Sequence, residues 1–220
     1  MTPLAYARLC AEAYTAPPDL TFGPVVRLLI RSTDDGRPVL VIPGTRPEHV
    51  ADDLADLDVG PMNVGTGQLV HRGFWQCAQL ALPTVVNRSL ITGPLDLTGH
   101  SLGAAIAADL AVMLVQAGLP PRRLVLFGCP HTVIGPWQAD MLVQAGVEVL
   151  IYRHGGDPVP LVPLHAAVCP ELAGVLRWCL PAVGNWRWAG EVTQLGMAGV
   201  PDIADHMIAA YVAAFQPVSA

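Results

Sequence analysis

The chain has 220 residues, 52% of them apolar and 14% charged, which excludes a disordered polymer and is enough for one α/β domain with a large core. A formal net charge of −6 excludes a nucleic-acid binder, which needs a basic face. Mean hydropathy is +0.45, high for a soluble chain, and a mouth that opens toward lipid would account for exposed apolar surface. All 12 basic residues are arginine, which we read as GC-rich coding rather than function.

The N-terminus has no basic start and no unbroken apolar run, so a secretory signal is not expected and the cytoplasm is the expected location. Five scattered cysteines (Cys10, Cys77, Cys129, Cys169, Cys179) with no C-x-x-C pair fit buried thiols in a reducing compartment. In chain order, the pattern predicts a helix over residues 4–14, halted by Pro17-Pro18, and a strand from Val25 to Arg31. Asp34-Asp35-Gly36 is a turn, and Val39 to Ile42 is the returning strand. Residues 46–60 read as an acidic, helix-compatible segment, and 61–70 carry turn residues with little pattern. A helix from Phe74 to Leu90 with Pro83 inside it comes next, then a strand from Leu95 to Thr98 and a long buried helix from Leu102 to Ala117. Arg123 to Phe127 and Val147 to Tyr152 read as strands around a helix over 137–145. Pro158 to Gly199 reads as loop-rich, with Trp178, Trp186 and Trp188, and Ile203 to Phe215 as one amphipathic helix. Alternating strands and helices predict a mostly parallel central sheet with helices on both faces, in a single domain over 1–220.

Gly99-His100-Ser101-Leu102-Gly103 matches G-x-S-x-G between a strand and a helix. A nucleophilic serine there must project from a sharp turn, and side chains two positions either side would clash, so glycine occupies both. The helix that follows aims its N-terminus at the oxyanion formed in acyl transfer. In this fold the acid and base follow the serine in that order. Asp157 stands out among later acids because it lies just past a strand, where α/β sheets place their sites. Asp109 falls in mid-helix and reads as a solvated helix face. The bases after Asp157 are His165 and His206, and the late position with triad order favours His206. Leu102 N–H and Thr45, after the strand ending at Pro43-Gly44, are the expected oxyanion donors.

The sequence resembles the class 3 lipases. Val41-Ile42-Pro43-Gly44-Thr45 is similar to that family's strand ending in Arg-Gly-Thr, and Val70-His71-Arg72-Gly73-Phe74 to its Val-His-x-Gly-Phe. Thr98 to Ala105 resembles its Thr-Gly-His-Ser-Leu-Gly-Gly-Ala. Phe127-Gly128-Cys129-Pro130, Asp157-Pro158-Val159-Pro160, and His206 with Tyr211 complete the series. The resemblance implies the α/β-hydrolase fold, Ser101, Asp157 and His206 as triad, Thr45 and Leu102 as oxyanion hole, and structural roles for His71 and His100. It implies Asp56 or Asp53 as a brace for the oxyanion residue, and 46–70 as the lid or cover segment. Val50, Leu54 and Leu57 give that segment only a thin apolar stripe, so activation at a bulk oil surface is not expected. A bacterial member of the family is expected.

The resulting expectation is a serine carboxylic-ester hydrolase, a lipase or esterase working through an acyl-enzyme without cofactor or metal. Its partners would be an ester or lipid substrate and peripheral lipid surfaces, with no obligate protein partner. A phospholipase or lysophospholipase is the alternative within hydrolases. A ligand-binding homologue that has lost catalysis is the alternative outside them.

Overall fold

Residues 1–23, 26–45, 60–87, 93–162 and 186–216 are described in the computed structural model. Helix α1 (Pro3–Glu12) begins where the Thr2 hydroxyl accepts the Ala5 N–H at 3.3 Å, with Pro3 at the first position, where no N–H is needed. Strands β1 (Leu20–Phe22), β2 (Val26–Ser32) and β3 (Pro38–Ile42) follow, then β4 (Pro61–Gly65) and β5 (Gln68–His71). Next come α2 (Arg72–Asn87), β6 (Asp96–His100), α3 (Leu102–Gln116), β7 (Arg123–Phe127), β8 (Val133–Ile134), α4 (Trp137–Gln144) and β9 (Glu148–His154). Strands β10 (Trp186–Arg187) and β11 (Val192–Leu195) and helix α5 (Ile208–Ala214) complete the described elements.

The seven-stranded sheet runs β1-β2-β3-β6-β7-β9-β11. Its first two pairings are antiparallel, and from β3 onward every pairing is parallel. The register sets Ile42 beside Gly99, His100 beside Phe127, Phe127 beside Tyr152, and His154 beside Leu195. The carboxyl ends of five strands therefore share one edge of the sheet, where α/β sheets hold their ligands.

Strand alternation divides the core into two layers. Leu40, Ile42, Leu97, Leu124, Leu126 and Ile151 point to the face covered by α2, α3 and α4. Val39, Val41, Val125, Phe127 and Tyr152 point to the face covered by α1 and α5. Helix α3 is buried on every side from Leu102 to Leu114, between the sheet and its neighbouring helices.

Four sequence expectations are corrected. Residues 61–70 are not patternless: β4 and β5 form a hairpin that pairs through β8 with β10 in a second, antiparallel sheet. The second half of the expected cover segment is thus tied into a sheet, while 46–59 lie outside the described residues. The loop-rich stretch supplies β11, a parallel edge strand whose residues are half-exposed or exposed, so no apolar alternation betrays it. The expected helix over 203–215 is broken. Ile203–His206 form one 3-10 turn, Met207 is extended, and α5 starts afterwards.

The fourth correction concerns Asp109, which is completely buried rather than on a solvated face. The Gln138 amide donates to its Oδ1 at 2.9 Å, and the Thr132 hydroxyl donates to Gln138 Oε1 at 2.6 Å. Burial raises this carboxyl well above its ordinary range, against the opposing pull of the Gln138 bond, so the fold favours its protonated form. Its Oδ2 has no hydrogen-bond partner among the described residues.

Candidate active site

Ser101 stands between β6 and α3 with φ 57 and ψ −130, and it is the one non-glycine residue with positive φ among the described residues. Such a backbone costs about 1–3 kcal/mol and persists only where its surroundings enforce it. A Cβ on Gly99 would lie 2.4 Å from the Gly103 carbonyl oxygen, and one on Gly103 would lie 2.1 Å from that of Ile42. The glycines flanking the elbow are therefore demanded by helix α3 packing directly against β6 and β3. Leu102 takes the first helical position, whose N–H has no partner within its own helix.

Asp157 follows β9 at the carboxyl edge, buried, and its carboxylate accepts from several directions. His206 Nδ1 donates to Oδ2 at 2.9 Å, Tyr211 Oη donates to the same oxygen at 2.5 Å, and the Val159 N–H donates to Oδ1 at 2.9 Å. With Nδ1 protonated toward Asp157, His206 Nε2 is the acceptor, and the Ser101 hydroxyl donates to it at 2.8 Å. Gly128 leaves room for this arrangement. Its φ is 56, and a Cβ there would come within 2.9 Å of Asp157 Oδ2 and 3.0 Å of the His206 ring. The Phe127-Gly128-Cys129-Pro130 landmark thus has a steric cause.

The break at Met207 also has a use. In a continuous α-helix the His206 carbonyl would accept from the Ala210 N–H, but that N–H bonds the Met207 carbonyl at 2.8 Å instead. The His206 carbonyl is left to accept from His100 Nε2 at 2.7 Å. The His100 and His206 rings stack with centroids 4.7 Å apart. Burial, then the neighbouring His206, hold His100 well below the usual histidine range, so a neutral ring stacks on the His206 imidazole.

The structure brings Ser101, Asp157 and His206 together. Thr45 is half-buried just past β3, next to Gly44, whose Cα lies so close to the nucleophile that an added Cβ would sit 2.7 Å from Ser101 Cβ. His165, the alternative base, and Asp53 and Asp56, the alternative braces, lie outside the described residues. His71 is buried and stacks on Phe74 at 3.8 Å. Sequence reasoning missed Tyr14, which follows α1 and reaches both Gly44 and His100. A tyrosine at a helix end carries no motif that would have flagged it. Among the described residues no group of His, Cys, Asp and Glu is placed to hold a metal ion.

The same three side chains occur on unrelated folds, and the mostly parallel sheet with serine first and histidine last gives this chain the α/β-hydrolase fold. Proteins similar to it include fungal lipases, in line with the resemblance. It is 28% identical over 140 residues to secreted mono- and diacylglycerol lipase 1 of Fusarium solani, a match covering 60% of this chain and 41% of that protein. It is 30% identical over 115 residues to secreted mono- and diacylglycerol lipase A of Penicillium camembertii, covering 48% of this chain and 37% of that one. The matches thus span less than half the length of these curated relatives. The solved Rhizomucor miehei triacylglyceride lipase superposes with a TM-score of 0.65 at 20% identity, covering 87% of this chain and 78% of that chain. A Thioesterase domain family model matches residues 78–177. These named relatives are fungal and lend no support to the expected bacterial origin.

Proposed function

We propose that the protein is a serine hydrolase of carboxylic esters, a lipase or esterase that works through an acyl-enzyme. The observation that carries the reading is the unbroken hydrogen-bond chain from the strained Ser101 through His206 to Asp157. In this reading His206 Nε2 takes the Ser101 proton as Oγ attacks the ester carbonyl. Asp157 holds the Nδ1–H tautomer and stabilises the imidazolium, and the proton passes on to the leaving alkoxide. Leu102 N–H and Thr45 receive the oxyanion. Water, activated by the same imidazole, then releases the acid and restores Ser101.

The substrate class follows from the relatives, two of which are named as mono- and diacylglycerol lipases. Peripheral contact with a lipid surface belongs to this proposal. Met197 and Val200 are 90% and 86% exposed on the segment between β11 and the His206 turn, which lies at the carboxyl edge of the sheet. Apolar side chains this exposed beside the site suit a face that meets lipid. A thioester substrate is a second reading, favoured by the Thioesterase match, which includes Ser101 and Asp157.

Hydrolysis of p-nitrophenyl esters from acetate to palmitate, by wild type and Ser101→Ala, tests the proposal. Activity that disappears in Ser101→Ala supports it, and the chain-length profile separates esterase from lipase. Equal rates in both proteins would overturn it. Acyl-thioester hydrolysis faster than that of the matched oxygen ester would favour the second reading.

A further inference from the structure

Tyr14 lies outside the triad, yet its hydroxyl is within reach of two functional elements. It stands 3.2 Å from the Gly44 N–H on the oxyanion loop and 2.6 Å from His100 Nδ1. His100 Nε2 in turn stands 2.7 Å from the His206 carbonyl.

The proton positions along this path follow from its two ends. A carbonyl oxygen can only accept, so His100 Nε2 carries a proton and donates it to His206. His100 is neutral, so its Nδ1 has a lone pair and no hydrogen. Tyr14, kept protonated chiefly by burial, therefore donates to Nδ1. The Tyr14 oxygen is then free to accept, and the Gly44 N–H is the donor that meets it. The chain reads Gly44 N–H to Tyr14 O–H to His100 Nδ1, then His100 Nε2–H to the His206 carbonyl. A Cβ on Gly44 would meet Tyr14 Oη at 2.7 Å and the His100 carbonyl oxygen at 2.8 Å, so the loop sits tightly against this path.

We infer that Tyr14 is a positioning residue that couples the oxyanion loop at Gly44–Thr45 to the backbone of the catalytic base through His100. It touches no reacting atom. It keeps the loop from backing away from Ser101, and it fixes the His100 tautomer that grips the His206 carbonyl. A buried, fully directed relay of this kind rigidifies more than separate bonds do. The inference rests on the ester-hydrolase reading for its kinetic consequence, but not for the hydrogen-bond path itself.

The test is Tyr14→Phe, which removes one oxygen and keeps the ring, measured by three readouts on the full chain. On p-nitrophenyl butyrate, kcat should fall about 10- to 100-fold with KM nearly unchanged, because the groups that meet the transition state lose their placement. By hydrogen exchange, the Gly44 amide should exchange at least about tenfold faster than in wild type. By ¹⁵N chemical shifts, wild-type His100 should show the Nε2–H tautomer. Wild-type kcat in the variant, or a KM increase that accounts for the whole loss, would overturn the coupling. An unchanged Gly44 amide or an Nδ1–H tautomer of His100 would overturn the path. If wild type hydrolyses no ester and Ser101 resists a fluorophosphonate probe, the functional reading fails, and the exchange and tautomer readouts still decide the path.

Discussion

Asp109→Asn isolates one buried proton. The substitution keeps the side-chain shape and the acceptor that Gln138 uses at 2.9 Å, and it removes the ionisable group. Burial raises the folded-state pKa of Asp109 well above the unfolded value of 3.8. Between those two values the folded chain holds a proton that the unfolded chain has released, so stability falls as pH rises through that window. One proton corresponds to about 1.4 kcal/mol per pH unit. The wild type carries this slope and the variant does not. The variant's side chain would bring an amide N–H₂ to a place with no acceptor among the described residues, a pH-independent cost of about 1–3 kcal/mol. The difference in unfolding free energy should therefore start at or below zero near pH 4. It should then move in the variant's favour by about 1.4 kcal/mol per pH unit, until Asp109 ionises within the fold. Guanidinium unfolding of both proteins at pH 4.5, 5.5 and 6.5 reads that slope directly. Parallel stability curves would refute the claim that Asp109 is neutral in the native protein.

Asp157→Asn should leave the fold standing and lower kcat by about 10³- to 10⁴-fold, because an amide cannot hold the Nδ1–H tautomer of His206. Steady-state kinetics beside an unchanged circular dichroism spectrum check this. Gly103→Ala would drive a methyl to 2.1 Å from the Ile42 carbonyl oxygen and 2.5 Å from that of Pro43. It should cost about 3 kcal/mol or more, read as a lost or sharply lowered melting temperature.

Most of the parallel sheet and its helices was legible in the sequence, because β3, β7 and the buried helix α3 carry apolar runs with sharp turn residues between the elements. The triad was legible for a different reason: a strained serine between two glycines, an acid after a strand and a late histidine are local features in a required order. What escaped reading has no local periodicity. The hairpin β4–β5 is largely half-buried to buried without alternation, and the edge strand β11 exposes Thr193 and Gln194 consecutively, so tertiary pairing, not pattern, defines them. The break at Met207 depends on a carbonyl needed by His100, a residue more than a hundred positions earlier. Asp109 misled because a charge in a helix ordinarily marks its wet side, and only the packing of α2 and α4 around α3 reveals that this helix has none.

Ser101 and its base are 105 residues apart in the chain, and the base and its acid 49. A serine hydroxyl without an imidazole beside it is an ordinary alcohol, a weak nucleophile at neutral pH. During synthesis the elbow is complete long before its partner emerges, so on the proposed function the growing polypeptide stays inert toward esters until β11 and the turn after it have docked. Closing contacts this distant in sequence is among the slower events of folding. If the proposed ester hydrolysis holds, its recovery after denaturation should therefore trail the return of helical signal, and the turnover rate becomes a gauge of whether the last and longest-range contacts have formed.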